Sequence, residues 1–165
     1  MPTSFSTSIL EELRMEIPST RKCLERIDES VFRFKPHERS MEMGYLAILV
    51  AQIPLWIAYM IDDSEIDFKT FPQPTITNNE ELMAFFEENL KRAEQSLTNA
   101  TEEKLSGNFT LKNDGHELYS APKKQDIVTT LNHWVHHRGQ LTVYMRMNDI
   151  PVPSIYGPSA DDRNF

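Results

Sequence analysis

The sequence predicts an all-α fold, a four-helix bundle with a short hairpin-like insert before the fourth helix. The length of 165 residues is typical of one domain, which we take to cover residues 1–165. Only five glycines are present, and this disfavours glycine-rich nucleotide loops and turn-dense β-sandwiches. Apolar residues recur at three- and four-residue steps in four segments, as amphipathic helices require.

The first predicted helix can be capped by Ser6 or Thr7, and Pro18 is expected to bend or break it. Its apolar positions are Ile9, Leu10, Leu13, Ile17, Leu24 and Ile27. After a polar link, Ser40 is the expected cap of a second helix that ends near Asp62. Pro54 should free the Val50 carbonyl and kink this helix.

The segment from Asp62 to Asn78 is acidic and contains two prolines, so we expect an exposed loop. A third helix follows, to about Ala100. Residues 106–121 combine two glycines with alternating apolar residues, which favours an extended or hairpin-like insert. Pro122 can open the fourth helix, which runs to about Asn148, and residues 149–165 form a tail.

Composition and charge restrict the class of protein. The formal net charge of −8 and the absence of a basic patch disfavour nucleic acid as a partner. The single cysteine, Cys23, indicates a reducing compartment, and we expect a cytoplasmic protein. Met1 to Ser8 lack the features of a secretion signal, and Gln52 and Pro54 interrupt the longest apolar stretch, so we expect no membrane partner.

Candidate chemistry concentrates in the fourth helix. His133 and His137 are four residues apart and therefore point the same way, so both imidazoles can reach one divalent ion. Gln140 and Tyr144 belong to the same flank of the helix. A catalytic metal site usually needs three protein ligands, and the third must come from another helix.

These residues carry a resemblance that covers nearly the whole chain. The run HWVHHRGQLTVY from His133 to Tyr144 and the run PVPSIYGP from Pro151 to Pro158 resemble the DinB-like superfamily, which includes the YfiT-type proteins. The stretches that extend the resemblance are Pro36-His37-Glu38-Arg39-Ser40-Met41, Leu46-Ala47 and Ile53-Pro54-Leu55-Trp56.

The resemblance implies an up-down-down-up bundle, commonly dimeric, in which three histidines hold a divalent metal, often nickel or zinc. Characterised members are thiol S-transferases that use bacterial low-molecular-weight thiols, or related thiol-dependent isomerases. The two ligands of the last helix carry over to His133 and His137. The third ligand position, on the second helix, is Leu49, which cannot ligate a metal.

Two interpretations of this incomplete site follow. In the first, the pocket has become apolar and holds no metal tightly. In the second, an oxygen from Gln52, Tyr45, Glu42, the tail or the hairpin replaces the missing histidine.

We accordingly consider two functions. One is a thiol S-transferase with a degenerate metal site, with a low-molecular-weight thiol as co-substrate. The other is a metal-free, non-catalytic homodimer that binds a small molecule or serves in a stress response.

Other polar residues have structural interpretations. Arg138 lies on the core stripe and is expected to pair with a buried carboxylate or backbone carbonyls, with a substrate carboxylate or thiol as the alternative. Cys23 is expected to be a buried small residue, and His37 and His116 to be capping or surface residues. Gly139 is expected to admit a neighbouring helix.

Overall fold

The computed structural model describes residues 4–164, so residues 1–3 and 165 of the predicted domain lie outside the described part. The protein is mostly helical and carries a small three-stranded sheet, so the all-α prediction is corrected. Its helices are α1 (Phe5–Glu25), α2 (Met43–Asp62), α3 (Asn79–Thr98), the single turn α4 (Glu102–Leu105) and α5 (Lys123–Met147). Its strands are β1 (Glu65–Asp67), β2 (Asn108–Asn113) and β3 (His116–Pro122).

Two predicted helix starts are wrong, and backbone contacts explain one of them. α1 is capped by Ser4, and Pro18 does not interrupt it. α2 begins at Met43 rather than after Ser40 and has no side-chain cap. The amides of Met43 and Gly44 instead donate to the carbonyls of Phe34 and Phe32, each at 2.9 Å, so the preceding link satisfies the orphan donors of the first turn.

The small sheet corrects the expectation of an exposed loop after α2. β2 and β3 form the predicted antiparallel hairpin, but β1 adds to the other edge of β2 as a parallel strand. Ile66 of β1 is buried, and it pairs in register with Leu111. The Asp67 carboxylate accepts the backbone N–H groups of Asp114 (3.0 Å) and Gly115 (2.7 Å), which ties β1 to the hairpin turn.

α2 lies at the centre of the core, between α3 and α5. Pro54 cannot donate to the Val50 carbonyl, and the indole Nε1–H of Trp134 in α5 donates to it instead at 2.8 Å. The Asn89 amide of α3 likewise donates to the Ala51 carbonyl at 3.0 Å. α5 therefore uses the carbonyl that the proline leaves free, and the two hydrogen bonds together fix how α2 packs against its neighbours.

α2 and α5 run in opposite directions. Trp134 contacts Val50, whereas Tyr144, further along α5, donates from its hydroxyl to the Met41 carbonyl before α2 (3.3 Å). This antiparallel register places Leu49 about level with residues 135–136, between the two histidines. By length and composition α2 is also the one helix of the described chain that could cross a membrane, and 72% of its most apolar window is buried inside the molecule.

Candidate functional site

His133 and His137 form a hydrogen-bonded pair on α5. Their Nε2 atoms are 2.6 Å apart, and the two rings are tilted with centroids separated by 4.4 Å. Trp56 of α2 packs on His133 with a centroid distance of 5.7 Å. His137 is only 8% exposed, whereas His133 is half-buried. The four-residue spacing therefore brings both imidazoles to one point between α2 and α5.

Gln140 selects the tautomer of this pair. Its Oε1 lies 2.7 Å from Nδ1 of His137, and a carbonyl oxygen can only accept, so Nδ1 of His137 carries the proton. The Nε2 lone pair of His137 is then free to accept the Nε2–H of His133. A partner on the second ring nitrogen is also how proteins orient histidines that bind metals.

Both imidazoles are neutral at pH 7. Burial lowers the pKa of His133 below 6.5, and the neighbouring His137 and His136 lower it further. Burial also lowers the pKa of His137, against an opposing effect of the hydrogen bond with Gln140. The pair therefore offers neutral nitrogen lone pairs rather than positive charge.

A cavity of about 190 Å³ lies beside His133. Its walls come from α2, the sheet and α5, and they are largely apolar. The residues that define it best are Trp56, Ile66, Phe109, Leu111, Asp126 and His133. Because Ile66 and Leu111 belong to β1 and β2, the unpredicted strand β1 and the predicted hairpin together close one side of the cavity.

Asp126 is the acidic residue of this cavity, and sequence reasoning missed it. Its side chain is 6% exposed, and burial raises the pKa of its carboxyl group. The Tyr119 hydroxyl donates to Oδ1 at 3.2 Å. Asp126 precedes His133 by seven residues, which is two helical turns, so the spacing along one helix face could have revealed it.

The residues proposed to replace the missing ligand are exposed or have other partners. Leu49 lines a neighbouring cavity together with Tyr45 and Gln52. Tyr45 is 60% exposed, and Gln52, although buried, donates from Nε2 to the Pro72 carbonyl at 3.3 Å. Glu42 is exposed and lies 3.8 Å from Lys35.

The surroundings of His133 and His137 decide whether this protein can form the three-histidine metal site that the resemblance implies. Across residues 4–164 no three His, Cys, Asp or Glu side chains are grouped closely enough to hold a metal ion. Two nitrogen ligands of a tetrahedral zinc ion are about 3.3 Å apart, wider than the 2.6 Å of this pair. The residues present therefore do not fit that site.

Arg138 and Tyr144 serve the packing of α5. The Arg138 guanidinium is 2% exposed and pairs with Glu16 of α1 at 2.5 Å, as the expectation of a buried carboxylate partner requires. It also donates to the Tyr156 hydroxyl (2.7 Å) in the tail. Tyr144 donates to the backbone before α2 and lies edge-on to Phe34.

The remaining polar candidates are structural. Cys23 is fully buried, and desolvation raises the pKa of its thiol to about 11. His37 accepts the Arg39 amide at Nδ1 (3.1 Å), which is a local turn contact, and His116 opens β3. The predicted packing role of Gly139 is wrong, because no neighbouring atom lies within 4 Å of the space that a Cβ would take.

Comparisons with known proteins agree with this architecture. The model of the DinB family matches residues 1–164. The crystal structure of a DinB-like protein from Bacillus subtilis superposes with a TM-score of 0.71 at 20% identity, covering 94% of this chain and 99% of that one. A DinB-like protein from Bacillus cereus ATCC 10987 gives 0.68 at 20% identity, covering 90% and 95%. No curated protein matches the sequence.

Proposed function

This chain belongs to the DinB family, and from that premise we propose that it binds a small, largely apolar molecule in the cavity beside His133, without a tightly held metal ion. The observation that carries the proposal is the cavity itself, walled by Trp56, Phe109 and Leu111 and bordered by His133 of the histidine pair. Apolar pockets with a few polar groups are the usual form of small-molecule sites.

The bundle arrangement supports a site between α2 and α5. We infer an up-down-down-up order, in which α1 is antiparallel to α3, α3 is parallel to α2, and α2 is antiparallel to α5. For α1 and α3 the contacts that favour this direction are Arg14–Glu94 and Arg21–Glu87. For α3 and α2 they are Asn89–Ala51 and Ser96–Asp62. For α5 and α2 they are Trp134–Val50 and Tyr144–Met41.

Metal analysis tests the metal-free part of the proposal. Two imidazoles on one helix, without a third protein ligand, bind a divalent ion weakly. Protein purified without an affinity tag should therefore contain less than about 0.1 equivalent of nickel or zinc. About one equivalent of either ion would overturn this part of the proposal.

Ligand binding can be tested with 4-fluorophenol, a probe with an apolar ring and one hydroxyl group. Fluorine NMR of the probe should show saturable binding to the wild-type protein. Leu111→Trp places a large ring in the cavity and should abolish that binding. Leu118→Trp is the matched control, because Leu118 is an exposed leucine of the same hairpin.

The two tryptophan variants separate a cavity effect from a general effect on the hairpin. Retained binding by Leu118→Trp and lost binding by Leu111→Trp support the cavity as the site. Failure of the wild-type protein to bind the probe, or equal binding by both variants, contradicts the proposal.

Thiol transfer is the second candidate function, and the neutral histidine pair is the observation that favours it. In this reaction an imidazole nitrogen takes the thiol proton, the thiolate sulfur forms a bond to an electrophilic carbon, and the leaving group departs from that carbon. Cysteine and 1-chloro-2,4-dinitrobenzene provide a test, since the reaction releases chloride and a proton and forms a coloured thioether.

The histidine pair supplies the control for this assay. The wild-type protein should accelerate thioether formation, and His133→Gln should remove the acceleration. A wild-type rate equal to the rate without protein would exclude transfer between these two reactants. The homodimer and the cytoplasmic location stay predictions.

A further inference from the structure

The cavity contains a buried carboxylate, Asp126, that has few hydrogen-bond donors around it. Asp126 is buried to more than nine-tenths, and among the described residues the Tyr119 hydroxyl is the one donor within hydrogen-bonding distance, on Oδ1. Oδ2 has no protein donor among the described residues, and it is not sealed from solvent, so it is accessible from the cavity side. A buried carboxylate normally has several donors or a cation, because desolvating it is costly.

The cations of the surrounding elements have other partners. Lys112 of β2 pairs with Glu65 at 2.5 Å. Lys123, in the first turn of α5, donates from Nζ to the Lys104 carbonyl at 2.7 Å. Burial lowers the pKa of His133 and His137, so these two imidazoles add no positive charge at pH 7. Asp126 therefore has no paired cation among the described residues, and the first turn of α5, in which it lies, is the part of the protein that favours its negative charge.

Aromatic rings line the same space. Trp56 of α2, Phe68 after β1 and Phe109 of β2 all contribute to the cavity that Asp126 borders. The face of an aromatic ring attracts cations, and it attracts them more strongly where water is excluded. One carboxylate together with several aromatic rings is a combination that recognises an ammonium group.

We propose that the cavity selects small molecules that join an apolar body to a positively charged ammonium group, and that Asp126 determines this selectivity by pairing with the charge. The inference rests on the proposed function, since it names the class of ligand for the same cavity. The protein's net charge of −8 favours the approach of a cationic ligand as well.

The test compares two probes of nearly equal shape, benzylammonium and benzyl alcohol, by ligand-observed NMR titration at pH 7. The wild-type protein should bind benzylammonium about 10-fold more tightly, because a charge-assisted hydrogen bond is worth more than a neutral one. Asp126→Asn keeps the size of the side chain and an acceptor for Tyr119 but removes the charge. In this variant the preference should fall to about 1.

Glu117→Gln is the matched control. It removes one negative charge from an exposed position of β3 outside the cavity, so it should keep the wild-type preference for benzylammonium. Thermal unfolding of all three proteins shows whether each is folded. Equal wild-type affinities for the two probes, or an unchanged preference in Asp126→Asn, would overturn the inference.

The two probes also separate this inference from the proposed function. Binding of benzyl alcohol that Leu111→Trp abolishes supports the cavity as a ligand site, whatever the charge preference. If that binding occurs without a preference for benzylammonium, the cavity binds ligands but Asp126 does not select them. If neither probe binds, both proposals fail.

Discussion

Two of the deeply buried charged side chains of α5, Asp126 and Arg138, lie about three turns apart and differ in how many partners each has. Arg138 has a carboxylate partner in Glu16, the Glu16 carbonyl and the Thr20 hydroxyl (each 3.2 Å) and the Tyr156 hydroxyl. Asp126 has one hydroxyl donor and borders a cavity. Burial alone therefore does not distinguish a structural charge from a functional one.

The difference lies in how completely the charge is compensated. Arg138 joins α1, α5 and the tail, because Tyr156 in turn donates to the Glu16 carboxylate at 3.0 Å. Every group in that cluster has a partner, so it stabilises the packing and leaves nothing for a ligand. Asp126 remains short of partners, and a ligand can supply what the protein does not.

The largest effect should come from removing the compensated charge. Arg138→Met leaves Glu16 buried without its cation, so the free energy of unfolding should fall by about 3 kcal/mol. Urea denaturation measures this loss. Arg14→Met is the control, because it breaks an exposed ion pair with Glu94 and should cost less than about 1 kcal/mol. Similar losses in the two variants would mean that the Arg138 cluster contributes no more than a surface pair.

The histidine pair lies between Asp126 and Arg138 along α5 and is neutral. A substitution on α2 can supply the third metal ligand that the pair lacks. Leu49→His should raise the affinity for zinc about 100-fold, because it supplies a third protein ligand. At a zinc concentration of about 100 times the Kd of the variant, bound zinc should raise the unfolding free energy of the variant by about 2.7 kcal/mol. Titration calorimetry and thermal unfolding with zinc measure the two changes.

Ile48→His controls for the third histidine itself. Ile48 precedes Leu49 and is turned about 100° away around α2. It should add no more than a weak, exposed zinc contact. No gain in zinc affinity by Leu49→His would show that α2 and α5 are too far apart at this level for three histidines to share one ion.

Asp126→Asn should stabilise the protein at pH 7 by about 1 kcal/mol, because it removes a poorly compensated buried charge. The raised carboxyl pKa of Asp126 means that the folded protein binds this proton more tightly than the unfolded chain. The contribution of Asp126 to stability is therefore most favourable at low pH and falls as pH rises through the pKa values of the two states, whereas carboxylates with lowered pKa values, such as Asp67 and Asp161, act in the opposite direction. The advantage of Asp126→Asn should vanish near pH 3 and reach its full value at neutral pH. Unfolding measured across this pH range checks the sign, and an advantage independent of pH would contradict it.

The smallest effect should come from Tyr119→Phe, which removes the single donor to Asp126. The Tyr119 hydroxyl lowers the carboxyl pKa of Asp126 against the dominant effect of burial, so this pKa should rise further in the variant. The cost at pH 7 should be below about 1 kcal/mol because the tyrosine is partly exposed. Carbon NMR of the aspartate carboxyl groups reports the pKa directly, and an unchanged value would show that the hydrogen bond is weak.

Sequence periodicity predicted the long helices because each buries a continuous apolar stripe, and the spacing of His133 and His137 predicted that they would meet. It could not predict β1, which has only three residues and pairs with a strand more than forty positions later. Helix spacing could have placed Asp126 on the same face as His133, but the cavity that it borders is walled by both β1 and β2, which no local pattern could reveal. Ser40 failed as a cap for a similar reason, because backbone carbonyls from the preceding link took that role.

The parallel pairing of β1 with β2 also predicts which wall of the cavity opens most easily. This ladder has three residue pairs, and α3 and α4 lie between its two strands in the chain, so closing it carries the entropy cost of a long loop. Short ladders far apart in sequence open locally at a small fraction of the global unfolding free energy. Amides of β1 should therefore exchange with deuterium earlier than those of α2, which is buried at the centre of the core.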